Sequence, residues 1–124
     1  MIGFLMDDIY FKSAVMCYYQ TLFQDDNLGY AVRCNACEKI QLGYGNMVIT
    51  FSQEDFDSFR SWLIKIHASQ EHELNPALRC ILIPTPCEGM KLLLSKRELQ
   101  ELINMLETAD NELQSLALLK LFND

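Results

Sequence analysis

Residues 38–55, Glu38-Lys39-Ile40-Gln41-Leu42-Gly43-Tyr44-Gly45-Asn46-Met47-Val48-Ile49-Thr50-Phe51-Ser52-Gln53-Glu54-Asp55, contain the change of pattern that decides the fold. Glu38 to Leu42 alternates as a strand does, and Met47 to Phe51 is rich in β-forming residues. Gly43-Tyr44-Gly45-Asn46 lies between them, and Gly and Asn tolerate the positive φ a tight turn requires. The stretch therefore reads as a β-hairpin. Ser52 follows with an N-cap hydroxyl, and Asp55 places a carboxylate three residues on, the arrangement that satisfies orphan N–H groups at a helix start. Phe56, Phe59, Leu63 and Ile66 then recur at spacings of three and four with Trp62 beside them, which buries one helix face and leaves Asp57, Arg60 and Lys65 in water. Outside this unit, Tyr30 to Arg33 reads as a preceding strand and Asn75-Pro76 as the close of the following loop.

Shifted by 43 residues without gaps, the chain matches itself: Cys37 falls on Cys80, Ile40 on Ile83, Met47 on Met90, Ser52 on Ser95 and Leu63 on Leu106. Apolar positions match between these identities, Phe51 with Leu94, Phe56 with Leu99 and Phe59 with Leu102, and Asp55 falls on Glu98. Such self-similarity signals duplication. In the second copy Leu78 to Ile83 is the first strand, Pro84 to Gly89 the connection, Met90 to Leu94 the return and Ser95-Lys96-Arg97-Glu98 a second capping box. The apolar stripe of the helix after it, from Leu99 through Leu106 and Ala109 to Leu116, either runs on as one helix or breaks at Thr108-Ala109-Asp110. The expectation is a single α+β domain over residues 1–124, with β-β-α repeats at 34–76 and 77–124. The repeats pair by pseudo-twofold symmetry into one mainly antiparallel sheet of four or five strands with helices on one face. Residues 1–28 fall outside the repeat and are assigned to helix on the spacing of Phe11, Val15, Tyr18 and Leu22, before a turn at Asp25 to Gly29.

Seventeen acidic against ten basic residues give a net charge of −7, and half the residues are hydrophobic. The hydrophobic content excludes a disordered chain, and sparse cations leave no footprint for a phosphate backbone, so nucleic acid is not an expected partner. The N-terminal Met1 to Met6 runs into Asp7-Asp8 without a basic export region, and no apolar run reaches the length of a membrane span. A soluble, cytoplasmic protein with no membrane partner is expected, its five cysteines (Cys17, Cys34, Cys37, Cys80 and Cys87) reduced.

Cys34-Asn35-Ala36-Cys37 is the one recognisable chemical motif. It supplies half of a tetrahedral zinc site, and Cys80 and Cys87 are the candidates for the other half if the two hairpins bring their cysteine ends together. Repeat symmetry argues against this, because it carries Cys34 onto Ala77 and Cys87 onto Tyr44. Redox use is disfavoured because the motif runs into a strand rather than a helix N-terminus, although Arg33 offsets part of the charge of Glu38. His67 and His72 stand beside no persuasive nucleophile, and no nucleophile elbow or phosphate loop is present, so no catalytic residue and no cofactor are assigned. Tyr18, Tyr19 and Tyr44 with Met16 and Met105 are either an adaptable binding patch or, at helical spacing, core.

Gly29 to Leu63 resembles a small family of uncharacterised bacterial proteins that carry a CxxC, a strand, a glycine turn with Asn, a second strand, and then Ser and an acidic residue before an aromatic-rich helix. Here these are Cys34-Asn35-Ala36-Cys37, Tyr44-Gly45-Asn46, and Ser52 with Asp55, Phe56 and Phe59. The resemblance implies no activity. The leading functional expectation is a non-catalytic interaction or regulatory domain that self-associates through the Leu-rich end, Leu113 to Phe122, which exceeds what one small sheet can cover. The alternative is a thiol redox protein or zinc-binding module using the CxxC.

Overall fold

The computed structural model describes residues 18–70 and 75–123. Six strands and two helices follow in the order β1 (Tyr19–Asp25), β2 (Gly29–Cys34), β3 (Ile40–Tyr44), β4 (Met47–Phe51), α1 (Gln53–Ala68), β5 (Ile81–Pro84), β6 (Lys91–Leu94) and α2 (Lys96–Asn123). The fold is α+β.

β1 to β4 form an antiparallel meander in chain order. The expected helix over residues 1–28 is overturned for Tyr19–Asp25, which is a strand; residues 1–17 lie outside the described chain. The turn that follows accounts for the difference. Asp25 Oδ1 accepts from the N–H of Asn27 at 2.8 Å and of Leu28 at 3.0 Å, folding the chain back so that Asp25 faces Gly29 and Tyr19 faces Cys34. An Asx turn of this kind competes with helix, and once the chain reverses, the ladder with β2 satisfies the backbone of residues 19–25. A bulge between Thr21 and Phe23 leaves Leu22 buried.

The expected single sheet is also overturned, because β5 and β6 form a separate two-stranded sheet. Ile81, Ile83 and Leu94 nevertheless join the core that holds Ile40, Leu42, Ile49 and Phe51, so the hairpin is attached by side-chain packing rather than by a ladder. Pro84 ends β5 without an N–H to donate, and both strands have only four residues, which leaves little ladder to offer β4. The gapless repeat does not carry over to register. Ile40 pairs with Phe51, whereas its counterpart Ile83 pairs with Leu92 instead of Leu94. The slip is two residues, an even number, so the buried faces survive it.

Both helix starts are as the sequence implies. Ser52 Oγ accepts from Asp55 N–H and Ser95 Oγ from Glu98 N–H, each at 3.1 Å, and Glu98 Oε1 reaches back to Ser95 N–H at 2.9 Å to complete the second box. α2 runs unbroken for 28 residues, about 42 Å at 1.5 Å per residue. Phe56, Phe59 and Leu63 of α1 and Leu99, Leu102, Met105 and Leu106 of α2 are fully buried against the meander.

A second, smaller cluster joins Tyr30 and Val32, with Tyr19 packed against it. The Tyr30 ring lies over Gly43, its neighbour across the ladder, and Tyr30 Oη donates to Gln41 Oε1 at 2.8 Å. A Cβ at Gly43 would overlap that ring, while a Cβ at Gly29, where φ is +146°, would overlap the Gly43 carbonyl. Gly43→Ala is therefore expected to cost about 1–3 kcal/mol by overpacking, read as a lower urea midpoint, and Tyr30→Leu in the same chain should restore part of it. Gly29→Ala strikes backbone instead, and no side-chain change should rescue it.

Candidate functional site

The Cys34-Asn35-Ala36-Cys37 motif forms the turn between β2 and β3. Cys34 N–H donates to Lys39 O at 2.8 Å and Glu38 N–H to Cys34 O at 2.9 Å, closing the loop, while Asn35 N–H donates to Tyr18 O at 3.0 Å on the β1 side. Glu38 takes φ of +62°, the left-handed region that costs a residue with a Cβ about 1–2 kcal/mol. That conformation lets the chain re-enter the ladder at Ile40. Cys37 N–H points to Cys34 Sγ at 3.5 Å. Cys34 is 2% exposed and Cys37 lies at the surface, so one turn presents two thiols of opposite accessibility. Arg33 Nη2 stands 3.5 Å from Glu38 Oε1 beside them.

Cys80 precedes β5, and Cys87 sits in the β5–β6 turn, where its N–H donates to Thr85 Oγ1 at 3.2 Å. Both are exposed thiols. Among the described residues no group of three or more His, Cys, Asp or Glu side chains is placed to hold a metal, so Cys34 and Cys37 are brought together without Cys80 and Cys87. His67 is half-buried near the end of α1, and His72 lies outside the described residues, as do Met16 and Cys17.

The DUF6686 family, a family of unknown function, matches residues 16–123. The chain belongs to DUF6686. The match extends well beyond Gly29 to Leu63, where the resemblance was legible. No curated protein and no solved structure matches the chain. No described helix of this DUF6686 chain is long and apolar enough to cross a membrane.

Of the two readings of the aromatic and methionine residues, core packing holds for most of the described ones in the DUF6686 chain. Met105 is fully buried, Tyr44 packs against the core and Tyr19 joins the Tyr30 cluster; Tyr18 alone of the described members stands well out, at 67% exposure. A run of exposed apolar side chains lies at the end of α2, where Leu118, Leu119, Leu121 and Phe122 are 57–86% exposed. Leu113 and Leu116, just before them, still pack on the core.

A polar cluster at the start of α2 was not legible. Arg79 grips Glu98 with a two-nitrogen fork, Nε to Oε1 at 2.9 Å and Nη2 to Oε2 at 2.8 Å. Tyr44 Oη donates to Glu101 Oε1 at 2.9 Å beside it. Tyr44, Arg79 and Glu98, with Met47, Lys91 and Leu93, line a cleft of about 340 Å³ between the β3–β4 turn and β6. Only the Ser95–Glu98 spacing was visible in the sequence, since Arg79 and Tyr44 arrive from distant positions.

The Arg79 hydrogen bonds hold Glu98 below the usual carboxylate range, against the opposing pull of its partial burial. Burial pushes the Tyr44 hydroxyl well up, aided by its bond to Glu101 and by the charges of Glu101 and Glu98. A depressed carboxylate contributes stability in full above its unfolded pKa of about 4.3 and loses it as pH falls through the lower folded value. The stability difference between the wild type and Glu98→Gln should accordingly be flat near neutrality and shrink below pH ~4. Tyr44 has the opposite sign, its proton being kept in the fold after a free tyrosine, pKa ~10, would have lost it. The phenolate absorbance at 295 nm should therefore match that of Tyr44→Phe until the wild type unfolds in alkali.

Proposed function

We propose that this chain is a non-catalytic interaction or regulatory domain of the bacterial cytoplasm, acting as a single domain that pairs with a second copy of itself through Leu113 to Phe122. The observation that carries the reading is the apolar end of α2. The core stripe of that helix runs through Leu106, Ala109, Leu113 and Leu116. Leu118 is turned ~200° from Leu116 at about 100° per residue, with Leu121 and Phe122 on the same far side. A helix apolar on both sides needs a second covering surface. An identical helix end meets that need, because a twofold axis brings the same stripe against itself and closes the assembly at two chains. The two β-β-α units are read as copies of one ancestral unit, supported by Ser52 and Ser95 bonding the N3 amide at the same 3.1 Å.

Light scattering should report a dimer. Leu121→Asp and Phe122→Asp should each weaken it by about tenfold or more, since burying such a side chain is worth roughly 1.5–3 kcal/mol, and circular dichroism should be unchanged. A wild type that stays monomeric at every concentration overturns the dimer. Dimers that persist in the Leu121→Asp/Phe122→Asp double variant overturn the surface.

A further inference from the structure

We propose that the cleft between the β3–β4 turn and β6 receives a small organic monocarboxylate, its carboxylate taken by Arg79 and Lys91 and its apolar body laid against Met47 and Leu93. The charge distribution singles the place out. Residues 75–98 carry four basic side chains (Arg79, Lys91, Lys96 and Arg97) against two acidic ones (Glu88 and Glu98), whereas the rest of the chain carries six against fifteen. The summed field of the chain repels an anion, and this stretch offsets it.

Arg79 is oriented before any ligand arrives. The capping box holds Glu98, whose Oε1 accepts from Ser95 N–H at 2.9 Å, and Glu98 in turn engages Arg79 through Nε and Nη2. Those bonds leave Arg79 Nη1 uncommitted on a guanidinium whose plane is set by the start of α2. A cation positioned by a carboxylate that is itself anchored is preorganised for binding. Lys91 makes no ion pair among the described residues, and its neighbour across the ladder, Pro84, brings it no charge. Tyr44 completes the wall, its hydroxyl held by Glu101 Oε1 at 2.9 Å.

The lining selects the ligand. Arg79 and Lys91 against Glu98 leave a single positive charge to neutralise. A doubly charged phosphate ester would exceed it and would be repelled by Glu98 and Glu101. A carboxylate has one oxygen for Arg79 Nη1 and one for the Lys91 ammonium. Met47 supplies a side chain that adapts to shape, and Leu93, 53% exposed, gains by being covered. At about 340 Å³ the cleft is at the small end of small-molecule sites, which span roughly 300–1,000 Å³. Glu98 is in the first turn of the 28-residue α2, whereas Leu113 to Phe122 are at its far end, so the site does not depend on the proposed dimer.

The test titrates full-length, isotope-labelled reduced protein at neutral pH with hexanoate, phenylacetate and indole-3-acetate, and follows the backbone amides of Gly45, Asn46 and Lys91 to Leu94 by NMR. At least one of the three acids should shift these amides saturably, and acetate and the uncharged 2-phenylethanol should each bind about tenfold more weakly or worse. Lys91→Met, whose fold should be intact by circular dichroism, should lose about tenfold in affinity, and Lys91→Arg should recover it. Leu121→Asp/Phe122→Asp should bind as the wild type does, so failure of the dimer and failure of the cleft are told apart. No saturable shift of these amides with any of the three acids overturns the site, as does undiminished binding in Lys91→Met. Acetate binding as tightly as the larger acids overturns the apolar wall, and tighter binding of phenylphosphate overturns the carboxylate. Binding to phosphatidylserine vesicles without any response to the free acids overturns the small molecule in favour of a lipid surface.

Discussion

Phe51 is the joint on which the two layers turn. It closes β4, is fully buried, and meets Phe56 at 6.0 Å between ring centroids in an edge-on contact and Phe59 at 5.2 Å. One residue of the sheet thus fixes the first two turns of α1, with only Ser52 between strand and helix. Truncating a ring in such a cluster costs about 3–5 kcal/mol, against a total stability of about 5–15 kcal/mol for a small domain. This tight corner is what lays α1 back on the meander.

Farther along, the helices are held to each other by polar as well as apolar contacts. Arg60 of α1 reaches Glu107 at 2.9 Å and Asp110 at 3.7 Å on α2, and Gln114 donates to Asp110 at 2.8 Å. Arg60 Nε is buried without a hydrogen-bond partner among the described residues, so part of the gain is offset by desolvation. These contacts lie where α2 begins to leave the core. Past Leu116 the helix continues from its own propensity and from whatever covers its far side.

Local chemistry was readable and global pairing was not. The β3–β4 hairpin followed from Gly43-Tyr44-Gly45-Asn46, and both helix starts from a hydroxyl with a carboxylate three residues on, because each depends on neighbours in sequence. Tyr19–Asp25 is a strand although the apolar spacing of Tyr18 and Leu22 points to helix, because only the turn at Asp25 to Gly29 signals the reversal that pairs it with β2. The split into two sheets was hidden for a different reason. Ile81, Ile83 and Leu94 carry the same alternating pattern whether they extend β4 or pack on it from a separate hairpin. The CxxC was found, but the left-handed Glu38 and the amide turned towards Cys34 Sγ belong to the closed loop and have no signature in residue type.

A two-stranded sheet standing apart from its neighbour has an open edge on each side, and open edges recruit other strands. The β5–β6 hairpin also shows Leu82 and Leu93, paired across the ladder, to solvent. Its end is guarded: Pro84 faces Lys91 in register, a missing donor opposite a charge. Together with strands of only four residues, that pairing gives an incoming chain little to template on. Resistance of this hairpin to strand addition therefore rests on two side chains, Pro84 and Lys91, that lie outside the core.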